Sequence, residues 1–357
     1  CQPGTPRGGR LALEEREMNS RTHCEQQPSS QIISGLAWGI VLLGVLLRLR
    51  QYLANRSLWL DEAALALNLV NRSLVGLTRP LDHGQGAPIG FLLIEKATIC
   101  VLGNKDYILR LFPLVAGIAG VWLMWKVAES YTEGTAPLLA LGLFAISSHM
   151  VYYASEVKQY SSDALFSLLL LLFFQRSLNG DTRHRNLVGL GLLGALATWI
   201  SHPALFVITG IGISLTLDSL LTRERHELMH VASVLSLWMA NLAILFLVSL
   251  RHLAADSTLV DYWRQGFMPM PPWRNLSWLP NAFFAMFKNP VGLSATSVGA
   301  IVFLAGCLSL LFRRWQLGLA LVMSFLAALL ASGLKKYPFS GRLLLFIVPV
   351  ADLLIAE

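Results

Sequence analysis

The chain has 357 residues, of which 55% are hydrophobic and only 14% are charged, and its formal net charge is +7. A soluble domain carries about 25% charged residues, so this composition excludes an ordinary soluble protein and indicates a polytopic membrane protein. The positive charge does not indicate nucleic acid as a partner, because the basic residues lie in short loops between apolar runs, where topology and lipid headgroups explain them.

The two ends of the chain differ from its middle. Residues 1–31 are polar, carry mixed charge and show little periodicity, which predicts a cytoplasmic tail. This tail is either disordered or the result of a wrongly assigned start, with Met18 as the true first residue. Residues 32–357 are predicted to form a single membrane domain. An apolar run finishes as the chain stops at Glu357, so we leave open that further sequence follows.

Eleven apolar runs follow the tail, and a helix needs about 20 residues to cross the bilayer. They lie at 32–49, 87–103, 109–128, 136–153, 162–177, 187–201, 203–221, 230–250, 295–312, 316–333 and 343–356. No small-residue cleavage site follows the first run, so we interpret it as a retained helix and not as a signal peptide. The second run carries Glu95 and Lys96 at its middle, where each charge costs about 2.5–3.5 kcal/mol. A helix lying in the interface can turn this pair toward water, and we predict that orientation.

The distribution of basic residues tests this interpretation. If 87–103 lies flat and the N-terminus is cytoplasmic, the loops 178–186 and 222–229 and the turn at Arg313-Arg314 all face the cytoplasm, as the positive-inside rule requires. Counting 87–103 as a span would place all three outside. We therefore predict an all-α protein with about ten transmembrane helices, plus interfacial helices in the first and in a later extracytoplasmic loop. The predicted extracytoplasmic loops are 50–108, 154–161, 251–294 and 334–342.

Two adjacent carboxylates, Asp61 and Glu62, follow the first span and open a stretch, 63–70, that is typical of a helix. One interpretation is structural: Asp61 is an N-cap, and Glu62 is a first-turn acid favoured by the helix dipole. The other is that the pair is catalytic. The two interpretations are compatible, because a capping residue can also act in chemistry.

Basic residues on the same predicted side of the membrane point to an anion there. Lys158 either extends to the headgroups or neutralises a phosphate, with Glu156 orienting the phosphate or a metal ion. Arg110, at the start of a span, is an interfacial anchor or a further phosphate ligand. Three cations break the positive-inside rule and indicate a bound anion: Lys335, Lys336 and Arg342.

Two histidines and one long loop remain open to two interpretations. His83 lies in a loop rich in turn-forming residues, and His202 fills a tight turn between two spans; each is either structural or a ligand of substrate or metal. The loop 251–294 carries many aromatic residues among prolines, which is typical of an interfacial belt, although aromatic faces also stack on sugars and lipid tails. Four scattered cysteines lack metal-ligand spacing.

The order of four motifs resembles that of a known family. The motifs are Leu58-Trp59-Leu60-Asp61-Glu62, Ala87-Pro88, Asp106-Tyr107-Ile108-Leu109-Arg110-Leu111-Phe112-Pro113 and Tyr152-Tyr153-Ala154-Ser155-Glu156-Val157-Lys158-Gln159-Tyr160. Over about residues 35–180 the chain resembles the GT-C class of integral membrane glycosyltransferases, especially the branch with the lipid A aminoarabinose transferase and the protein O-mannosyltransferases. Residues 337–349 are similar to a later segment of the family.

The resemblance implies a first external loop with two interfacial helices and a polyprenyl-phosphate-linked sugar as donor. It also implies that Asp61 is the catalytic carboxylate. The family usually has Arg where Lys158 stands, so this chain keeps the charge and loses the bidentate geometry. Metal use varies among relatives, so a divalent metal is left open and no cofactor is predicted firmly.

The predicted function is transfer of a monosaccharide from that donor to a lipid, glycan or protein acceptor at the extracytoplasmic face of a bacterial inner membrane, with inversion. Asp61 would act as general base and Glu62 would position it, while Lys158 and Arg110, joined by Lys335, Lys336 or Arg342, would hold the phosphate. The main alternative is a transporter or flippase, which would place ionisable groups at mid-membrane. A non-catalytic lipid-binding subunit is the other alternative. The residues do not identify the sugar, the acceptor or the lipid's length.

Overall fold

The computed structural model describes residues 8–178, 182–251, 253 and 257–357, with side chains from residue 31 onward except those of 257 and 258. Its regular structure is helical, without a β-strand in these ranges, so the all-α prediction is confirmed. The tail predicted at 1–31 stays a prediction, because residues 1–7 lie outside the described ranges and no side chain of 8–30 is described.

The helices of the described ranges are numbered in chain order. The α-helices are α1 (Gly8–Leu53), α2 (Leu60–Asn71), α3 (Ile89–Leu102), α4 (Asp106–Leu109), α5 (Leu111–Tyr131), α6 (Ala136–Ile146), α7 (Ser148–Tyr153), α8 (Tyr160–Leu178), α9 (Arg183–Ile200), α10 (Ala204–Thr222), α11 (Arg225–Leu245), α12 (Ser257–Tyr262), α13 (Trp278–Lys288), α14 (Thr296–Arg313), α15 (Trp315–Gly333) and α16 (Val348–Ala356). Helix α11 continues into a π-helical turn, Phe246–Leu250. Short 3₁₀ turns lie at Gly76–Thr78, Asp82–Gly84, Arg264–Gly266, Pro272–Arg274 and Gly341–Ile347.

Seven helices of the described ranges are long and apolar enough to cross a membrane. They are α1 from Gln31, α5, α8, α10, α11 with its π turn, α14 and α15. Two of the other three predicted spans are interrupted: 136–153 is divided into α6 and α7, and 343–356 is divided between a 3₁₀ turn and α16. The third, 187–201, falls in α9 up to Ile200, and this helix of 18 residues begins with the polar run Arg183-His184-Arg185-Asn186. The polytopic helical architecture is confirmed.

The segment predicted to lie flat forms α3, whose 14 residues extend only about 21 Å, against about 30 Å of hydrocarbon. Lys96 Nζ donates to the carbonyl oxygens of Leu69 (2.8 Å) and Val70 (3.2 Å) at the end of α2, where helical carbonyls lack partners. Glu95, in contrast, is fully buried, so the expectation that both charges turn toward water is wrong for Glu95. The reason is that α3 packs against α2, α5 and α9, and burial raises the pKa of Glu95 well above its usual value.

A buried arginine joins α1 to the break between α6 and α7. Because α6 ends at Ile146, the carbonyls of its last turn lack helical donors. Arg48 is fully buried, and its guanidinium donates to the carbonyl oxygens of Ala145 (3.1 Å) and Phe144 (3.4 Å) and to Gly44 in its own helix (3.0 Å). Backbone polar groups within a membrane must find partners inside the protein, so this arginine stabilises the interrupted span.

Four segments converge at one end of the helical bundle. Helix α2 follows the first span, the connection 154–159 joins α7 to α8, and the 3₁₀ turn Gly341–Ile347 packs against α8. The loop 82–88 lies between α2 and α3. Asp61 and Arg342, which are 281 positions apart in the chain, therefore come into contact.

We expect Arg48→Met to destabilise the protein, because each carbonyl left without a donor costs about 1–3 kcal/mol. The melting temperature of the purified protein should fall by several degrees. The matched control is Arg50→Met, since Arg50 is exposed on the same helix. Equal melting temperatures for the two variants would contradict the role given to Arg48.

Candidate active site

A pocket of about 660 Å³, here named the charged pocket, opens where these four segments converge. Ligand pockets in proteins typically measure about 300–1,000 Å³. Its lining includes one anionic side chain, Asp61, and two cationic ones, Lys158 and Arg342. Four aromatic side chains also line it: Trp59, Tyr160, Tyr262 and Trp263.

Asp61 lies in the first turn of α2 between two cations. Its Oδ1 accepts from Lys158 Nζ at 3.2 Å, and its Oδ2 forms an ion pair of 2.5 Å with Arg342. The structure therefore brings together three of the residues that the sequence singled out, from three distant segments. One anion and two cations leave this wall with net positive charge.

The charges of the pocket shift one another's protonation. Burial raises the pKa of Asp61, but the charges of Lys158 and Arg342 and the hydrogen bond from Gln85 outweigh it, so the pKa lies below its usual value. Burial lowers the pKa of Lys158 more than the neighbouring Asp61 raises it. At neutral pH the carboxylate is ionised, and the ammonium is more easily deprotonated than that of an exposed lysine.

Gln85 is a pocket residue that the sequence reasoning missed. Its Nε2 donates to Asp61 Oδ1 at 3.2 Å, and its Oε1 accepts from Lys158 Nζ at 2.6 Å. An amide is both donor and acceptor, so it can bridge an anion and a cation. A glutamine in a turn-forming loop does not by itself indicate a functional role. The one indication in the sequence was its position just before the Ala87-Pro88 motif.

Glu62 points away from the charged pocket and is fully buried. Its carboxylate accepts from the guanidinium of Arg110 (3.1 and 3.2 Å), from the backbone N–H of Val157 (3.0 Å) and from that of Trp59 (3.3 Å). The N-cap of α2 is Trp59, so the structural interpretation of Asp61 as N-cap is wrong. Glu62, three residues later, reaches back to the N-cap as a capping-box acid does.

Arg110 is only 1% exposed and does not line the charged pocket. Besides Glu62, it donates to the carbonyl oxygen of Arg56 at 2.6 Å. The pair Glu62–Arg110 lies behind the pocket wall, where it fixes α2 against the start of α5. The structure thus does not bring Arg110 to the place where a donor phosphate would bind.

The other predicted cations and one histidine lie at the surface. Lys335 and Lys336 are exposed, and neither lines the charged pocket. His83 is exposed and lines the pocket, and its φ of 62° is a left-handed conformation within the turn. Of the three cations that break the positive-inside rule, the pocket includes Arg342 alone.

Glu156 is buried and His202 is half-buried, and neither lines the charged pocket. Burial, together with the charge of Glu62, raises the pKa of Glu156 to about 7. Burial lowers the pKa of His202 to about 4, so this imidazole is neutral at pH 7. Over the described ranges, no three His, Cys, Asp or Glu side chains are arranged to hold a metal ion.

A second cavity of about 730 Å³, here named the apolar groove, runs between α10, α11 and α15. Its lining extends from Leu205 to Leu220 along one membrane-spanning helix. Phe206 lines this groove, and its ring centroid lies 5.0 Å from that of Tyr337. The Tyr337 hydroxyl in turn donates to the carbonyl oxygen of Leu343, which lines the charged pocket. The walls of the two cavities are therefore in contact.

Known proteins resemble the chain in sequence and in fold. A family model described as dolichyl-phosphate-mannose-protein mannosyltransferase matches residues 85–249. ArnT from Cupriavidus metallidurans in the apo state superposes with a TM-score of 0.57 at 16% identity, over 90% of this chain and 59% of that one. The chain has the fold of the GT-C class. The family resemblance drawn from the motifs is thereby confirmed.

Two further structures carry ligands in their descriptions. ArnT from Cupriavidus metallidurans bound to undecaprenyl phosphate gives a TM-score of 0.56 at 16% identity, over 89% of this chain and 59% of that one. The archaeal oligosaccharyltransferase AglB from Archaeoglobus fulgidus, with an inhibitory peptide and a dolichol-phosphate, gives 0.55 at 12% identity, over 90% and 49%. The chain spans about half to three-fifths of these GT-C proteins. A search of curated protein sequences returned no match.

We expect Glu62→Gln to lower the melting temperature more than Asp61→Asn does. Neutralising Glu62 leaves the buried Arg110 charge without its counter-ion, and breaking such a pair costs about 3–5 kcal/mol. Asp61 borders an open pocket, where water can solvate its former partners. Thermal unfolding of the two purified variants is the measurement, and a loss for Glu62→Gln no larger than that for Asp61→Asn would contradict this division.

Proposed function

We propose that the chain is a glycosyltransferase that moves a sugar from a polyprenyl-phosphate donor to a cell-envelope acceptor at the extracytoplasmic face of a bacterial inner membrane. The observation that carries the proposal is Asp61, held in an open pocket between Lys158 and Arg342. A carboxylate can remove a proton, and the two cations can hold a phosphate; sugar transfer from a lipid phosphate needs both. The GT-C fold supports the same activity.

The reaction balances without a further reagent. Asp61 removes the proton from an acceptor hydroxyl or amine as the acceptor oxygen or nitrogen bonds to the anomeric carbon. The bond between that carbon and the phosphate oxygen breaks, and its electron pair leaves with the polyprenyl phosphate. Direct displacement inverts the anomeric configuration. Lys158 and Arg342 stabilise the charge that develops on the leaving phosphate.

Donor binding would also prepare the base. Without a donor, the two cations hold the pKa of Asp61 below its usual value, and a weak base results. A phosphate in the pocket competes for Lys158 and Arg342, which weakens their attraction for Asp61 and raises its basicity. Gln85 keeps its hydrogen bond to Oδ1 and so holds the carboxylate in place. The base would therefore be strongest when the donor is bound.

The apolar groove supports a lipid-linked donor. Its lining is hydrophobic along the length of α10, as a polyprenyl chain requires, and its wall contacts that of the charged pocket through Phe206, Tyr337 and Leu343. The phosphate would lie in the charged pocket and the chain in the groove. A transporter or flippase is the second candidate, but Asp61, Lys158 and Arg342 lie outside the seven candidate spans, at helix ends and in loops.

We expect Asp61→Asn to reduce transfer by about 10²–10⁴-fold, because a positioned general base contributes that much. The assay uses membranes supplied with undecaprenyl-phosphate sugars carrying radiolabelled mannose, glucose or 4-amino-4-deoxyarabinose, and it follows by chromatography the loss of label from the donor lipid to any acceptor. Asp106→Asn is the control, since Asp106 is an exposed carboxylate on the same side. Activity of Asp61→Asn within a few-fold of wild type would sink the assignment.

We expect Lys158→Arg to move the alkaline limb of the pH profile of kcat/KM to higher pH. Burial lowers the pKa of Lys158, so as pH rises its charge is lost at a lower pH than the usual value of about 10.4. Arginine stays charged throughout this range. Lys105→Arg, at an exposed site on the same side, should leave the limb in place. An unchanged limb in Lys158→Arg would show that Lys158 does not hold the phosphate.

A further inference from the structure

A third cavity lies beside the charged pocket and differs from it in chemistry. This amide cleft has a volume of about 270 Å³, near the lower end of ligand-sized pockets. Its polar lining consists of uncharged amides and hydroxyls: Gln265, Asn275, Ser277, Asn281, Asn289 and Ser340. Three buried apolar side chains, Met286, Phe339 and Leu344, complete it.

Helix α13 supplies one wall of the amide cleft. Trp278, Asn281, Ala282 and Ala285 follow the helical repeat and share one face, which turns toward the segment 339–344. The Trp278 indole N–H donates to the carbonyl oxygen of Gln265 at 3.3 Å, and this bond orients the ring. The cleft therefore combines an aromatic surface with amides carried on a regular helix.

Three of the four side-chain amides of the cleft keep their hydrogen-bonding capacity. In the described part of the chain, the side chains of Gln265, Asn281 and Asn289 make no hydrogen bond to protein. Each offers two N–H donors and one carbonyl acceptor, which matches hydroxyl groups that both donate and accept. The lining carries no charged side chain, so it provides no counter-ion for a phosphate or carboxylate ligand.

The cleft and the charged pocket share a wall. Gly341 lines the cleft, and the next residue, Arg342, lines the charged pocket and pairs with Asp61. Gln265 lines the cleft two residues after Trp263, which lines the charged pocket. A ligand in the cleft would thus lie on the other side of this shared wall from the charged pocket.

We propose that the amide cleft binds an uncharged saccharide unit of the acceptor, beside the donor in the charged pocket. The role of this saccharide as acceptor rests on the proposed transferase activity, whereas the binding of a saccharide in the cleft does not. The uncharged amides and the indole of the cleft suit the hydroxyls and the apolar faces of a saccharide, and a peptide is the competing ligand in the binding test. The acceptor class inferred is a neutral glycan or glycolipid.

Binding is tested with the full chain in lipid nanodiscs by saturation-transfer NMR. The probes are methyl α-D-glucopyranoside and methyl α-D-mannopyranoside, compared with methyl α-D-glucuronide and the peptide acetyl-Ala-Thr-Ala-amide. Ala64→Phe serves as a background in which the charged pocket is obstructed, since Ala64 lines that pocket and not the cleft. Saccharide binding at the charged pocket is thereby weakened, whereas binding at the cleft is not.

We expect a methyl glycoside to bind in both backgrounds, and Asn281→Ala or Gln265→Ala to weaken that binding about five- to tenfold, the effect of losing one or two hydrogen bonds. Asn281→Ala exchanges an exposed helical residue for a better helix former, so folding is preserved. Asn71→Ala changes an exposed asparagine on the same side that lines none of the three cavities described above, and it should bind as wild type does.

Three outcomes would overturn the proposal: no saturable binding of either glycoside, binding that neither cleft variant changes, or preferential binding of the glucuronide or the peptide. The measurement uses no donor. A failed transfer assay would therefore refute the activity and leave saccharide binding standing, while failed binding would refute the cleft and leave the Asp61 test intact.

Discussion

The charged pocket depends on the buried ion pair between Glu62 and Arg110. The same carboxylate also accepts hydrogen bonds from the backbone of Trp59 and Val157, so one buried group joins the start of α2, the start of α5 and the connection before α8. The residues next to these anchors, Asp61 and Lys158, are then held in contact at the pocket wall. The catalytic hypothesis needs a base held to within about 0.5 Å, and a rigid support behind it provides that precision.

The second constraint is electrostatic. Asp61 meets two cations at close range, which gives the pocket wall a net positive charge and keeps Asp61 ionised without a ligand. A bound phosphate would complete the charge balance and release the carboxylate to act as a base. The low polarity around Lys158 makes each of these interactions stronger than it would be in water. Substrate binding and activation of the base are therefore one event in the proposed mechanism.

The charged pocket has two neighbouring cavities of different chemistry, the apolar groove and the amide cleft. The charged pocket offers cations and a carboxylate, the apolar groove offers hydrocarbon contact, and the amide cleft offers uncharged hydrogen-bonding groups beside an indole. The three parts match, in order, a phosphate, a polyprenyl chain and a neutral sugar. The long loop 251–294, interpreted from its composition as an interfacial belt or a sugar-stacking surface, contributes Trp278 to the cleft and Trp263 to the pocket.

The sequence by itself determined the features that depend on local composition and on the side of the membrane. Hydrophobic runs indicated an all-α polytopic chain, the bias of basic residues indicated that 87–103 does not span, and the motif order indicated the GT-C class. The same topology puts Asp61 and Lys158 on one predicted side of the membrane. These signals are readable because hydropathy and charge act on each segment separately.

Only the tertiary structure decided which partners each charge meets. It buried Glu62 and Arg110 together, brought Arg342 to Asp61 while leaving Lys335 and Lys336 at the surface, and inserted Gln85 between base and lysine. It also buried Glu95, although the sequence of its own segment predicted that this side chain faces water. Pairings such as 62 with 110, or 61 with 342, depend on how distant helices pack, and no periodicity within one segment encodes that packing.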